Sequence, residues 1–404
     1  MEEVPQEKAQ YVLDKPLKDG LAIVRRVADG QVFLSYEFDI DKRPELGDLH
    51  TLYDRGAYAS AAEVLNHENL IGLTGPIRTF PYQGWGSKND AQHYILWDWC
   101  DAGTLDNILR EPPFSPTLEG FLPESLVWHV ANSMLKALMW LHEGWRVRYD
   151  PFKGFKREVY RMDEDWMPIF HRDIEPRNIY FQSPRGIETY GTCKLGNFGK
   201  CYISGRMRDE VALGVGVDIN NRIPGGGVGM TTKEGDPPLE DVYKRWKEGY
   251  AVDDFRNQKK SHRPYSAIDE LFALGAILYR MMTGRRLPGP DACEFCPCNH
   301  INNEQGCSHV CTPDVDLNKL FPTSSKYSED LREVVRRLLA VPGGTVHAVE
   351  DYEWAWERYQ YWKEDTPDGK IYRDELDNKI FCLDNEKRRK EAEWKSQEIG
   401  AGAA

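Results

Sequence analysis

The stretch FHRDIEPRNIYF at residues 170–181, followed by KLGNFGKC at 194–201, decides how this chain folds. Before it, apolar residues recur at strand spacing. After it, DELFALGAILYRMMTG at 269–284 repeats apolar residues at helical spacing. One such string could arise by chance, but two in this order, between a strand-rich first part and a helix-rich second part, could hardly do so. The pattern predicts an α+β fold in which strands and helices form separate lobes.

The composition excludes several kinds of protein. A chain of 404 residues can hold one large two-lobed domain or two to three smaller ones. The net charge of −13 argues against a nucleic-acid or anionic-membrane partner, because both attract a basic surface. The apolar runs are too short for a membrane-spanning helix, and the polar start MEEVPQEKAQ predicts no export signal. We therefore expect an intracellular protein, cytoplasmic or nuclear.

The first part of the chain predicts a small strand-rich lobe at 11–99, preceded by a disordered segment at 1–10. GLAIVRRVADGQVFLSYEFDI at 20–40 predicts two strands that turn at Asp29-Gly30, a dipeptide typical of tight hairpins. A helical stretch follows at 57–73, and then another strand pair ends in HYILWDWC.

The second part predicts a larger helical lobe at 100–350. Its first long helix is expected in LPESLVWHVANSMLKALMWLHEG, where apolar residues recur at spacings of three and four. A charged and aromatic tail, expected at 351–404, contains WAWERYQYW, which we expect to pack against its own domain; a partner-binding aromatic patch is the alternative. Three segments of the lobe are expected as inserts: 144–168 without a clear period, glycine-rich 205–260 and cysteine-rich 289–324.

The two decisive strings resemble the catalytic loop and the metal-binding loop of eukaryotic protein kinases. The resemblance runs from about Leu13 to Val349, and the strand segments resemble, more loosely, the NIMA-related group of Ser/Thr kinases. It implies a bilobal kinase-like fold that binds ATP with magnesium and transfers phosphate to serine or threonine.

Several positions match what the resemblance implies. Asp173 would orient the attacking hydroxyl, and Asn178 would be a secondary metal ligand. His171 and Phe198 are expected to stack in an apolar column that joins the lobes. Asp269 matches the aspartate that hydrogen-bonds the backbone of the catalytic loop.

Other positions depart from the kinase pattern and indicate a degenerate, pseudokinase-like site. Glu175 stands where kinases have a lysine that contacts the transferred phosphate, and Asn197 replaces the magnesium-binding aspartate. Alignment on the hairpin turn puts Tyr36 at the position of the phosphate-binding lysine, and residues 31–40 contain no lysine in any register. Tyr58 replaces the glutamate that would pair with that lysine.

The nucleotide pocket is also altered. Of the glycine-rich strand turn that normally cradles the phosphates, only Gly20 is present. Trp97 falls at the position that guards the back of the adenine pocket, followed by Asp98 and Cys100 in the hinge. The indole would fill space beside the purine, or it is equally well explained as a core aromatic at the lobe junction.

The cysteine-rich insert suggests a structural metal. Five of the nine cysteines lie between Cys293 and Cys311, and a loop with few apolar residues has little reason to be ordered unless a metal closes it. Free thiols in a solvated loop are the alternative. For one tetrahedral zinc, the spacing gives Cys293, Cys296, Cys307 and Cys311 as ligands, with Cys298, His300 and His309 as spare candidates.

Three functional hypotheses follow. One unit charge at about 4 Å contributes roughly 4 kcal/mol at an effective dielectric constant near 20, so each missing charge would lower the rate about a thousandfold. The first hypothesis is therefore a pseudokinase that acts as a protein-binding scaffold or allosteric regulator. The second is a divergent, active Ser/Thr kinase that uses ATP, and the third is a zinc-stabilised interaction module displayed on a kinase fold. The sequence does not specify an oligomeric state.

Overall fold

In the computed structural model, a five-stranded antiparallel sheet is followed by a set of helices. This arrangement of mixed strands and helices is compatible with the bilobal kinase-like fold expected from the sequence. Gly20, the insert at 205–260 and the four proposed zinc ligands lie outside the described residues. The structure describes residues 11–17, 21–37, 49, 58–79, 92–110, 120–161, 166–203, 267–285, 287, 320–340 and 347–401.

The sheet has the strand order β1-β2-β3-β5-β4. The turn expected at Asp29-Gly30 joins β2 to β3, and Gly30 adopts a φ of 72°, which glycine reaches without steric cost. Neighbouring residues of β5 point to opposite faces, so Leu96 packs with one hydrophobic cluster and Ile95 with the main core. The strands are β1 Tyr11–Pro16, β2 Leu21–Arg26, β3 Val32–Glu37, β4 Leu73–Thr79 and β5 Gln92–Asp98.

The longest buried helix forms the centre of the second part. It follows Pro123, and it ends at Gly144, which adopts a left-handed conformation that lets its N–H bond the carbonyl of Trp140. From Leu126 to Glu143, nearly every side chain is buried, because other helices and strands pack around it. The helices up to this point are α1 Tyr58–Leu65, α2 Leu105–Arg110 and α3 Glu124–Glu143.

Four short strands bring the two decisive strings side by side. Strand β8 pairs with β11, and β9 pairs with β10, both antiparallel. His171 follows β8 directly, and Gly196 follows β10, so the loops that carry them lie at neighbouring strand ends. The strands are β8 Ile169–Phe170, β9 Ile179–Phe181, β10 Cys193–Leu195 and β11 Tyr202–Ile203.

The segment 144–168, for which we expected no regular period, contains a β-hairpin. Strands β6, Trp145–Asp150, and β7, Lys156–Arg161, pair in continuous antiparallel register. At the turn, the Asp150 side chain accepts the N–H of Phe152, which is 96% exposed. This hairpin packs beside α3, with Trp145 and Val147 of β6 against the main core.

The C-terminal helices are joined to the core rather than separate from it. Helix α6 begins at Ala348 and crosses the boundary that the sequence placed at residue 351. As expected for WAWERYQYW, Tyr359 and Trp362 are buried, with ring centroids 5.8 and 6.2 Å from that of Trp128 in α3. The helices are α4 Ala267–Thr283, α5 Glu329–Leu339, α6 Ala348–Asp365, α7 Pro367–Ile371 and α8 Glu375–Ala401.

Within the described ranges, no helix combines the length and the apolar composition needed to cross a membrane.

The aromatic contact between α6 and α3 should contribute strongly to stability. Trp362 is 1% exposed, so replacing it with alanine leaves a large cavity and should lower the free energy of unfolding by about 3–5 kcal/mol. Trp394 in α8 is 59% exposed, and Trp394→Ala should change that free energy by less than about 0.5 kcal/mol. Urea denaturation of both variants would measure this, and equal effects would contradict the assignment of α6 to the core.

Candidate functional site

A buried carboxylate of α4 anchors the loop from His171 to Asn178 to the helical core. The backbone N–H of Arg172 donates to Glu270 Oε1 at 2.7 Å, and the other carboxylate oxygen lies 2.6 Å from His142 Nε2 in α3. Burial raises the pKa of Glu270, but the hydrogen bond and charge of His142 outweigh it and hold that pKa below its usual value. Glu270 therefore bonds the backbone of this loop, and its neighbour Asp269, the residue expected to do so, is also buried at the start of α4.

An aromatic stack joins this loop to the sheet. His171 and Phe198 meet edge to face with centroids 5.5 Å apart, and Phe198 stacks on Trp97 of β5 at 6.1 Å. His171 Nε2 lies 2.8 Å from the carbonyl oxygen of Gly196, which fixes the two loops to each other. The structure therefore places the expected column residues in contact and extends the column to Trp97.

Asp173 is buried and paired with two cations. Lys200 Nζ lies 3.0 Å from its Oδ1, and Arg177 Nη2 lies 3.1 and 3.3 Å from its two oxygens. Burial raises the pKa of Asp173, but Lys200, by hydrogen bond and charge, and then the charge of Arg177 outweigh it and lower that pKa. The carboxylate thus remains ionised, and its charge is neutralised by this chain's own side chains.

The two expected metal-ligand positions hold amides that bond to each other. Asn197 Nδ2 donates to Asn178 Oδ1 at 3.0 Å and to Asp173 Oδ2 at 3.4 Å. Asn178 Nδ2 in turn donates to the carbonyl oxygen of Asp173 at 2.8 Å. Magnesium prefers charged carboxylate oxygens, so these three residues would offer it one carboxylate already paired and two neutral amides. The described residues contain no group of three or more His, Cys, Asp and Glu side chains placed to hold a metal.

Glu175 adds a second carboxylate to the ion pairs of the loop. Its carboxylate lies 3.0 Å from Arg177 Nη1, so one guanidinium bridges Glu175 and Asp173. Burial and, next, the charge of Asp173 raise the pKa of Glu175. Asp173 and Glu175 together balance Arg177 and Lys200, so these four side chains carry no net charge at neutral pH.

Strand β3 presents an aromatic residue where the resemblance implies a lysine. Tyr36 is half-buried, pairs in register with Ile95 and packs against the main core, whereas its neighbour Ser35 is buried on the other face. The strand reads VFLSYE and offers no cation. Tyr58 begins α1.

The polar groups of the hinge residues are bonded or buried within the chain. Asp98 Oδ2 accepts the N–H of Gly72 and pairs with Lys194 Nζ, both at 3.0 Å, and Lys194 also donates to the carbonyl of Leu70. Cys100 is buried, and that burial raises the pKa of its thiol to about 12. Asp98 therefore links β5 to Gly72 and Lys194, and Cys100 is a buried thiol beside it.

Sequence reasoning missed three residues that shape the site: Arg177, Lys200 and Glu270. Two of them carried a usable signal, because Arg177 stands four residues after Asp173 and Lys200 directly follows the LGNFG string. A search for cations near the positions where the resemblance implies lysines would have found both. The contact of Glu270 with the loop depends on the rotation of α4, which the sequence does not specify.

Comparison with known proteins gives a weak link to protein kinases. No protein-family profile matches the chain. Over 135 residues, 33% of its length, the chain is 27% identical to a probable serine/threonine-protein kinase of Dictyostelium discoideum. The match covers 14% of that kinase, so it supports a kinase-like relationship for part of the chain and says nothing of the rest of that protein.

Replacing Glu270 and Glu175 by glutamine should have different effects on the free energy of unfolding. Glu270→Gln removes the charge that pairs with His142 and should lower the free energy of unfolding by about 2 kcal/mol at pH 7. Because the pKa of Glu270 is lowered in the fold, this loss should persist down to the unfolded pKa near 4.3 and shrink at lower pH.

Glu175→Gln serves as the matched comparison. Its raised folded pKa means that ionisation of Glu175 opposes folding above the unfolded pKa, so the variant should be as stable as the wild type or slightly more so at pH 7. Chemical denaturation across pH would measure both variants. A destabilised Glu175→Gln with an unaffected Glu270→Gln would contradict the roles assigned to the two carboxylates.

Proposed function

We propose that this protein is a pseudokinase, a kinase-like domain that acts through binding another protein and transfers phosphate weakly or not at all. The observation that carries the proposal is the closed charge network around Asp173. Lys200 and Arg177 both pair with that carboxylate, and the amides of Asn178 and Asn197 bond to each other.

The proposal follows from what phosphoryl transfer requires. The reaction needs cations that neutralise the transferred phosphate and anionic oxygens that hold magnesium. In this chain Asn197 brings no charge, Tyr36 replaces a cation, and Glu175 would repel a phosphate. Lys200 and Arg177 both lie about 3 Å from the carboxylate of Asp173. A magnesium nucleotide would have to break these ion pairs before the carboxylate could bind the metal or the cations could bind a phosphate.

One observation favours a second candidate, a divergent and active Ser/Thr kinase. Lys200 and Arg177 are cations beside Asp173, and a conformational change could turn them from the carboxylate toward a phosphate. In that case Asn178 and Asn197 would hold the metal through their amide oxygens. This candidate requires Asp173 to be essential for turnover.

Thermal shift and phosphate transfer separate the two candidates. A ligand at about a hundred times its Kd stabilises a protein by about 2.7 kcal/mol, which raises the Tm by several degrees. We expect millimolar ATP to give no magnesium-dependent shift, and labelled ATP to give no transfer that Asp173→Asn abolishes. A magnesium-dependent shift together with transfer lost in Asp173→Asn would overturn the pseudokinase proposal in favour of the active kinase.

A further inference from the structure

A groove on the opposite side of α6 from its buried face is lined by acidic and aromatic side chains. It has a volume of about 810 Å³ and lies between α6, Arg157 of β7 and Arg337 of α5. We call it the acidic groove. Its floor is a single stripe of α6 on which acid and aromatic residues alternate at helical spacing: Glu350, Trp354, Glu357, Tyr361 and Glu364.

The cations at the edge of the acidic groove already have partners. Arg157 makes two hydrogen bonds of 2.7 Å to the carboxylate of Glu353, and Arg337 pairs with Asp351. Both guanidinium groups also stack on indoles of α6: Arg157 lies 5.1 Å from the Trp356 ring and Arg337 lies 5.2 Å from Trp354. The groove therefore binds arginine within the chain itself, through carboxylate and aromatic contacts together.

Three glutamates of the stripe remain without such a partner. Glu350, Glu357 and Glu364 are exposed, and no cation among the described residues pairs with them; Glu357 accepts only the hydroxyl of Tyr361, at 3.3 Å. Tyr361 is 49% exposed, which leaves its ring open to a ligand. The groove thus offers three unneutralised charges beside an open aromatic surface.

The spacing of these charges indicates the form of the ligand. Each of the three glutamates lies seven residues after the previous one, which is two helical turns or about 10.5 Å along α6. A peptide in the polyproline II conformation rises about 3.1 Å per residue with three residues per turn, so every third side chain faces the same side at intervals of about 9.3 Å. We propose that the acidic groove binds an arginine-rich peptide segment of a partner protein in a polyproline II conformation, with a basic residue at every third position.

This proposal rests on the proposed function, in which the kinase-like domain binds proteins, and it specifies the class of partner. The acidic groove consists of α6 and its neighbours and includes no residue of the Asp173 network. Peptide binding should therefore be the same with and without magnesium and ATP. If the domain proved to be an active kinase, the pseudokinase proposal would fail while peptide binding could still be observed.

Fluorescence anisotropy with synthetic peptides tests the proposal. The probe is a fluorescein-labelled peptide of four Arg-Gly-Ser repeats, and the comparison peptide has the same composition with its arginines consecutive. We expect the full chain to bind the spaced peptide several-fold more tightly. The triple variant Glu350→Gln, Glu357→Gln, Glu364→Gln should weaken binding of the spaced peptide by about tenfold.

A matched variant controls for net charge. Glu386→Gln, Glu391→Gln, Glu393→Gln removes three exposed charges from α8 and should change the affinity by less than about twofold. Equal loss in both triple variants, or equal binding of the two peptides, would overturn the proposal. So would sedimentation showing that the wild-type chain is a dimer that the groove variant dissociates, because the occupant would then be a second copy.

Discussion

The buried carboxylate of Glu270 fixes the catalytic-like loop to the helical core, and the side chains that this loop carries depend on that attachment. One oxygen accepts the backbone N–H of Arg172, and the other pairs with His142, so the loop is tied to α4 and α3 together. A fully buried carboxylate is costly unless its oxygens are bonded, and in this site both are. Because this attachment uses the loop backbone, it holds Asp173 in place whatever side chains face the cleft.

On that fixed loop, the charged side chains near Asp173 form ion pairs with one another. Glu175 stands where the resemblance implies a cation, and Arg177 and Lys200 bring cations from neighbouring positions, but the structure directs both of them at Asp173. Asn197 bonds to Asn178 in the same way. A site that needs no ligand to balance its charge is suited to a domain that acts as a structural platform. Negative charge that no described cation pairs with lies on the surface, in the three glutamates of the acidic groove.

Much of this was accessible from the sequence, and the failures have physical reasons. The hairpin turn at Gly30 and the long helix before Gly144 follow from local patterns, and the contact of His171 with Phe198 was expected from the resemblance to kinases. The β6–β7 hairpin was missed although Trp145, Val147 and Tyr149 alternate with polar residues. The arginines on both strands read as solvent-exposed in the sequence, but in the structure they pack on aromatic rings. Arg146, for example, lies 3.9 Å from the Trp140 ring. The ion pairs of Lys200 and Arg177 depend on how two loops meet, and the acidic groove depends on which face of α6 is buried against α3.

The most direct test of the central claim is a calorimetric titration of the purified chain with ATP in the presence of magnesium. The closed charge network around Asp173 predicts no saturable heat of binding up to millimolar nucleotide. One-to-one binding that requires magnesium and disappears in Asp173→Asn would show that Lys200 and Arg177 release the carboxylate to a metal nucleotide, and it would contradict the pseudokinase proposal.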